Sequence, residues 1–278
     1  MSKTEKTEIS DLRRYMEQSL AEHYTQVITF KDREDSFVSL YAHKDTGQKV
    51  LLRRSGNRND GVYRALRGKR LCNLPMVLEV CSEEAHLLVL EEYIEGRTLD
   101  KILDSGQLTS TQAAAYTIDL CHALEELHSL GIVHRDIKPA NVMITPENRA
   151  VLLDLSIARE ISSDQQDTRS LGTVGYAAPE QYGVAQSNRA TDLYALGVLL
   201  NTMITGVHPA VDIPRGAHSP HCAKGHGYAN LQTIQICRCY GSRPASLCTV
   251  IKIKKCPIKC RALLYFCLKI VTPGTISA

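Results

Sequence analysis

The sequence has no tryptophan and only three phenylalanines among its 278 residues. Aromatic platforms on which single-stranded nucleic acid could stack are therefore not evident. The formal net charge of +3 is too small to predict nucleic acid or a membrane surface as the main partner. No stretch approaches the roughly 18 apolar residues that a membrane-spanning helix needs, and the charged residues 1–8 do not resemble a signal peptide. We therefore expect a cytoplasmic protein without a membrane segment.

The middle of the chain carries polar residues at the ends of two apolar runs. Residues 142–144 and 151–153 are short apolar segments separated by turn-forming residues, which predicts a β-hairpin. Asn141 precedes the first strand and Asp154 follows the second, so antiparallel pairing brings both to the same end. An amide oxygen and a carboxylate suit Mg²⁺, which takes oxygen ligands together with substrate phosphates. The pattern therefore predicts a magnesium site here.

The loop before this hairpin adds two candidates. Asp136 would face the same space and could accept the proton of a hydroxyl group. Lys138 lies two residues further on and could neutralise charge on a phosphoryl group in transfer. Positioning and electrostatic stabilisation supply most of the catalysis of phosphoryl transfer. The residues therefore predict that class of reaction.

Four motifs in order give this stretch a family resemblance. H-R-D-I-K-P-A-N at 134–141 resembles the protein-kinase catalytic loop, and D-L-S at 154–156 stands where that family has D-F-G. A-P-E follows at 178–180, and D-L-Y-A-L-G at 192–197 resembles the element after it. The sequences of these motifs are most similar to those of bacterial kinases of the eukaryotic, or Hanks, type. The lysine two residues after the aspartate resembles that of Ser/Thr-directed members.

The resemblance implies an α+β, two-lobed kinase-like fold. An extension at 1–25 would precede a small lobe at 26–94, formed by an antiparallel sheet and one helix. A mainly helical large lobe with an incomplete end would occupy 95–215, followed by a cysteine-rich aberrant tail at 216–278. The implied reaction transfers the γ-phosphate of ATP, held with Mg²⁺, to a serine or threonine hydroxyl of a protein substrate.

The resemblance also assigns roles to individual residues. Asp136 would be the base or would orient the hydroxyl, Lys138 would stabilise charge, and Asn141 would complete the catalytic set. Asn141 and Asp154 would be the Mg²⁺ ligands. Asp154 would also belong to the cofactor-binding set, whose other members are Arg53 as a weak phosphate contact, Glu92 and Tyr93 in the hinge that holds adenine, and Met143.

The predicted small lobe departs from the family pattern in three places. The stretch that matches the glycine-rich phosphate loop, residues 31–37, has no glycine and holds three carboxylates. Arg53 replaces the strand lysine, although the planar guanidinium is not equivalent to an ammonium group. The helix predicted at 61–71 has no acidic residue between Asp60 and Glu79. The Lys–Glu ion pair of the family therefore looks absent.

These departures leave alternatives open. A pseudokinase would keep the fold and signal through contacts, with weak or no catalysis. A small-molecule phosphotransferase would share H-x-D, N and D, but the A-P-E segment argues against that class. Basic residues of the small-lobe helix could bind phosphate in place of the missing groups or form a solvated face, namely Arg64, Arg67, Lys69 and Arg70.

Capping residues predict two helices. Ser10 would cap a short helix that packs Met16 and Leu20 on the first lobe as a brace, with a partner-binding helix as the alternative. Thr109 and Gln112 form a capping-box signature, which predicts the start of a long helix that supports the catalytic loop.

A later helix is predicted over residues 192–205, with Thr191 as its cap and Gly206 as its end. The large lobe of a kinase also needs a buried arginine to pair with Glu180 of A-P-E. No such arginine can be assigned from the sequence that follows.

The segment between D-L-S and A-P-E resembles an activation segment. Thr168 and Ser170 are its best-placed candidates for phosphorylation, with a solvated polar loop as the alternative. Arg135 would receive the phosphate through charge-assisted hydrogen bonds. Thr173 resembles the family threonine that bonds to the catalytic aspartate and lysine.

Residues 216–278 have no clear helical or strand period. Seven of the ten cysteines lie between Cys222 and Cys267. The segment could be a metal module or a disulfide region, although its spacings do not form paired C-x₂-C knuckles and disulfides are rare in the cytoplasm. We favour a third interpretation, a shifted reading frame, which predicts no packed core and no tetrahedral clusters of cysteine.

Overall fold

The computed structural model describes residues 14, 16–33, 36–55, 60–82, 86–161, 173–182, 186–206, 233–239 and 248–254. The first lobe is built on a five-stranded antiparallel sheet in the order β1-β2-β3-β5-β4. Its strands are β1 (Tyr24–Arg33), β2 (Ser36–His43), β3 (Lys49–Ser55), β4 (Val77–Ser82) and β5 (Leu87–Glu92). The sheet expected for the small lobe is therefore confirmed.

Two helices pack on this sheet. Residues 16–23 are helical (α1), and Met16 and Leu20 are buried with Val50 and other residues of the sheet, which confirms the predicted brace. Its predicted cap, Ser10, lies outside the described residues. Helix α2 (Asp60–Leu66) is shorter than the predicted 61–71, because Gly68 takes a left-handed φ of 72° and its N–H bonds to a strand carbonyl.

The second lobe is mainly helical. Two helices dominate it, and a small sheet in the order β6-β8-β9 lies beside the cleft. The predicted antiparallel hairpin β8–β9 is confirmed, with its second strand one residue earlier than the predicted 151–153. The elements are β6 (Arg97–Thr98), α3 (Leu99–Leu103), α4 (Ser110–Ser129), β7 (Ile132–Val133), β8 (Val142–Ile144), β9 (Ala150–Leu152), β10 (Arg159–Glu160) and α5 (Arg189–Thr205).

Helix capping agrees with the sequence at one helix and differs at the other. The capping box of Thr109 and Gln112 starts α4 as predicted. The prediction that Thr191 caps α5 is wrong, because Asn188 is the N-cap and α5 begins at Arg189. Thr191 closes that capping box from the third helical position instead. Gly206 ends α5 with a φ of 71°, as predicted.

One hydrophobic cluster contains residues of both lobes. The space between the two lobes is called the cleft. Val62 and Leu66 of α2 belong to the same buried cluster as Leu120 of α4 and Leu152 of β9. Leu155 of the D-L-S motif is also part of it, so this leucine packs in an apolar environment. The two lobes are therefore connected by continuous apolar packing.

The tail contains regular structure that the sequence did not predict. Strands β11 (Thr233–Cys239) and β12 (Cys248–Lys254) form an antiparallel hairpin with an unbroken register. The sequence shows no clear strand period over residues 216–278 as a whole, yet these two short runs pair as strands. Among the described residues, none of the helices is both long and apolar enough to cross a membrane.

Candidate active site

A buried carboxylate on α5 fixes the start of the catalytic loop. Asp192 is fully buried, and its two oxygens accept the backbone N–H groups of His134 and Arg135 at 2.9 and 2.8 Å. His128 lies 2.8 Å from the same carboxylate. The backbone of Arg135 is held at a left-handed φ of 71°. These bonds position the peptide directly before Asp136.

Asp136 is the centre of a hydrogen-bonded group. Its Oδ2 accepts Lys138 Nζ at 2.7 Å and Asn141 Nδ2 at 2.9 Å. Its Oδ1 accepts the hydroxyl of Thr173 at 2.7 Å, and that hydroxyl accepts Lys138 Nζ at 2.9 Å. The contact predicted for Thr173 is therefore confirmed. Three side chains therefore hold the Asp136 carboxylate.

The hairpin brings Asn141 and Asp154 to one end, as expected. The N–H of Leu153, next to Asp154, donates to the backbone oxygen of Asn141 at 2.8 Å. The amide nitrogen of Asn141 donates to the backbone oxygen and to Oδ2 of Asp136, so these bonds do not use its Oδ1. Arg53 Nη1 donates to Oδ1 of Asp154. One amide oxygen and one carboxylate oxygen fit a divalent cation that also binds phosphate and water.

The opposite wall of the cleft carries an ion-pair cluster. Arg53 Nη1 lies 3.1 Å from Asp154 Oδ1, and Arg53 Nη2 lies 3.2 Å from Glu91 Oε1. Burial favours a lower pKa for Arg53, but the two carboxylates keep it above the ordinary value. Burial raises the pKa of Glu91. Burial acts in the same direction on Asp154, where Arg53 and bonds from Ser156 outweigh it and lower the pKa. Arg53 is therefore a fixed cation.

A tyrosine occupies the helix position nearest this cluster. Tyr63 of α2 is 2% exposed, and its electrostatic neighbours include Arg53, Glu91 and Asp154. Burial raises the pKa of its hydroxyl, so Tyr63 is neutral. The helix therefore contributes no acid to the cleft, in agreement with the sequence.

The geometry can be compared with known proteins. The model of the protein kinase domain matches residues 39–236, which is most of the chain. The chain belongs to the protein kinase family. Members of this family use ATP and a divalent metal, and the described fold and the order of its motifs agree with that membership.

Each of three curated relatives matches less than half of this chain. A probable serine/threonine-protein kinase of Clostridium perfringens is 39% identical over 140 residues, which are 49% of this chain and 20% of the relative. The serine/threonine-protein kinase PknB of Mycobacterium tuberculosis is 37% identical over 126 residues, 44% of this chain and 20% of that protein. A probable serine/threonine-protein kinase of Streptomyces coelicolor is 39% identical over 128 residues, 44% of this chain and 19% of the relative. The matches therefore span about a fifth of these relatives.

The residues predicted for the kinase hinge lie apart from the charged cluster. The carboxylate of Glu92 accepts the N–H of Met76, and its backbone N–H bonds to the carbonyl of Met76. Tyr93 is partly buried, with Lys49 Nζ 5.6 Å from its ring centre. Met143, on β8, is partly buried. A contribution of Glu92 to adenine binding would come from its backbone.

The A-P-E segment of the chain is hydrogen-bonded to the catalytic loop. Gln181 is buried, and its Nε2 donates to the backbone oxygen of Arg135 at 2.8 Å. The hydroxyl of Thr191 donates to Glu180 at 2.7 Å. Arginine is not among the partners found for Glu180 within the described residues. The predicted phosphorylation candidates, Thr168 and Ser170, lie outside those residues.

The basic residues on α2 and in the segment that follows it pair with acids of the small lobe itself. Arg67 Nη1 lies 2.8 Å from Glu79, and Arg64 lies 3.6 Å from Asp60. Arg70 lies 3.8 Å from a carboxylate oxygen of the hinge. These arginines are more than half exposed. The solvated-face interpretation therefore fits the structure better than phosphate binding.

Sequence reasoning missed Glu91 as a member of the charged cluster. The one available signal was an acid directly after the apolar run of β5, at a position that burial would normally give to an apolar residue. Within the described ranges, no three His, Cys, Asp or Glu side chains come together in a metal-binding geometry. The cation site predicted here rests on Asn141 and Asp154 alone.

Proposed function

We propose that this chain transfers the γ-phosphate of ATP to serine or threonine hydroxyl groups of a protein substrate. The observation that carries the proposal is the hydrogen-bonded group of Asp136, Lys138, Asn141 and Thr173, with Asp154 at the same end of the hairpin as Asn141 and in contact with Arg53. The names of the relatives support the same activity. A small-molecule phosphotransferase is disfavoured by the A-P-E segment that packs on the loop.

Each residue has a defined task in this proposal. Asp136 accepts a hydrogen bond from the substrate hydroxyl and orients it, while Lys138 offsets negative charge on the phosphoryl group. Asn141 and Asp154 hold the divalent cation, for which we propose Mg²⁺, and that ion neutralises charge between the phosphates when it is bound. Arg53 contacts phosphate. Backbone groups around Glu92 and Tyr93 hold adenine, with Met143 beside it.

The test is transfer of labelled phosphate from ATP to a generic protein substrate. Asp136→Ala is the control, because it removes the acceptor of the hydroxyl hydrogen bond. We expect transfer by the unsubstituted chain and loss of signal in the variant. Equal signal from both proteins would remove the enzyme assignment.

The pseudokinase alternative makes a different prediction. A melting temperature that does not respond to Mg²⁺ and ATP, together with absent transfer, would favour a binding module. The cytoplasmic location and the absence of a nucleic-acid partner stay predictions. Fractionation of the producing cells tests the location.

A further inference from the structure

Arg53 carries a charge whose usual helix partner is absent. Only 17% of its side chain is exposed, and a buried cation without a counter-charge is strongly unfavourable. Helix α2 presents the neutral Tyr63 towards it. The counter-charges of the guanidinium therefore have to come from other elements than α2.

Strand register supplies that partner. In the pairing of β3 with β5, Leu51 lies opposite Glu91 and Arg53 lies opposite Val89. Arg53 and Glu91 are therefore diagonal neighbours on one face of the sheet, within reach of long side chains. The 3.2 Å contact between their side chains follows from this register.

The shape of the guanidinium accounts for the second contact. Its two terminal nitrogens point to different carboxylates, Nη2 to Glu91 and Nη1 to Asp154. A planar fork can make both contacts at once, whereas a single ammonium group has no such geometry. Glu91 balances the charge of Arg53 from the back of the cleft, so that Asp154 does not have to balance it alone.

We propose that Glu91 takes the place of the missing helix glutamate and is the positioning residue for Arg53. This inference rests on the proposed function, in which Arg53 contacts phosphate. Both members of the pair lie on hydrogen-bonded strands of one sheet, so the pair does not depend on the position of α2. Loss of Glu91 leaves Arg53 with Asp154 as its counter-ion and makes that carboxylate less available to a cation.

The decisive variant is Glu91→Gln, which keeps the shape and removes the charge. We expect ATP affinity to fall and the half-saturating Mg²⁺ concentration to rise, by roughly 10- to 100-fold, as for other residues that orient a metal site. Glu91→Asp should recover part of the loss because it restores the charge on a shorter side chain. The matched control is Glu79→Gln, which removes an Arg–Glu pair on the neighbouring strand, with Arg67, and should change neither value.

A second variant covers the case in which Glu91→Gln does not fold. The double variant Arg53→Met with Glu91→Leu replaces the ion pair by apolar side chains, a change that is often neutral for stability. We expect its melting temperature to stay near that of the unsubstituted chain and its affinity for ATP to equal that of the single variant Arg53→Met, because Glu91 acts on ATP only through Arg53. Calorimetry with ATP measures affinity, and labelled-phosphate transfer at varied Mg²⁺ measures the metal requirement.

The outcomes separate this inference from the proposed function. If Glu91→Gln, or the double variant in its place, binds ATP like the unsubstituted chain and that chain transfers phosphate, the inference is wrong and the function stands. If no form transfers phosphate but ATP affinity falls in Glu91→Gln and not in Glu79→Gln, the function is wrong and the positioning role stands. If the unsubstituted chain binds no ATP, both are wrong.

Discussion

The two walls of the cleft differ in how far apart along the chain their partners lie. On the large-lobe wall, two of the three side-chain partners of Asp136 lie two and five residues away, and the third, Thr173, lies 37 residues away. On the opposite wall, Arg53 bonds to side chains 38 and 101 residues away. A local loop carries its partners with it as one motif. A pair between distant strands can be rebuilt from other residues, provided that charge and register are kept.

This difference explains why the chain keeps one wall close to the family pattern and alters the other. Replacing one member of the Asp136 group would leave a buried polar atom without its partner. On the small-lobe wall, an acid moves from a helix to a strand and a lysine becomes an arginine, yet the cation still has two carboxylates. The first wall depends on the identity of each residue, and the second depends on charge balance.

The largest effect is expected at the large-lobe wall, in Asp136→Asn. Loss of the carboxylate should lower the rate of phosphate transfer by about 10²- to 10⁴-fold, the usual contribution of a general base. ATP affinity should change little, because the amide keeps the shape of the side chain. Labelled-phosphate transfer and calorimetry measure the two quantities. Asp104→Asn, at the exposed end of α3, is the control, and a similar loss of rate in that variant would contradict the assignment.

Asp192→Asn tests the anchoring of the same wall. Its carboxylate accepts two backbone N–H groups, and hydrogen bonds to charged groups are worth about 1.5–3 kcal/mol each. We expect the free energy of unfolding to fall by about 2–4 kcal/mol, because the amide retains only one acceptor oxygen. Chemical denaturation measures the change. Asp45→Asn in an exposed turn should be close to neutral, and an unchanged stability in Asp192→Asn would show that these bonds contribute little.

Thr173→Val removes the hydroxyl that joins Asp136 to Lys138. The loss of hydrogen bonds to charged groups predicts a fall in kcat of about 10- to 100-fold, since about 1.4 kcal/mol corresponds to a factor of ten. KM for ATP should stay nearly constant. Thr117→Val is matched to it, because the hydroxyl of Thr117 bonds within α4. If both variants kept the same kcat, the Thr173 hydroxyl would have no catalytic role.

Arg53→Lys sharpens the comparison from the small-lobe side. The change restores the residue type of the family pattern, yet one ammonium group does not reproduce the fork that reaches Glu91 and Asp154. We therefore expect ATP affinity to fall by about tenfold, the effect of losing one charge-assisted contact. Calorimetry measures it. Equal or tighter binding in Arg53→Lys would mean that the fork geometry is not used.

The smallest effect concerns cysteine chemistry, which should leave both walls intact. Cys72 is exposed, whereas Cys81 and Cys121 are buried. Burial raises the pKa of the Cys121 thiol to about 12, so its reactive thiolate is scarce from neutral pH to about pH 9. Alkylation of the folded chain followed by peptide mapping should modify Cys72 before Cys81 and Cys121. Early modification of Cys121 would show that α4 opens.

The departures from expectation share a physical cause. The end of α2 and the start of α5 depend on Gly68 and Asn188, which compete with other residues that favour capping or turns nearby. The hairpin of β11 and β12 lies in a segment without a polarity period, so only the pairing of two β-rich runs reveals it. These are boundary and pairing decisions that a local pattern does not make.

The sequence by itself determined the catalytic loop, the β8–β9 hairpin and the family, because their partners lie close together along the chain and their spacing fixes the geometry. It also determined that α2 brings no acid to the cleft. Only the tertiary structure decided that Glu91 contacts Arg53. Strands β3 and β5 are separated along the chain by α2 and β4, and the sequence of neither strand determines their register. Charge balance in a buried cleft depends on residues that are close in three dimensions but distant along the chain.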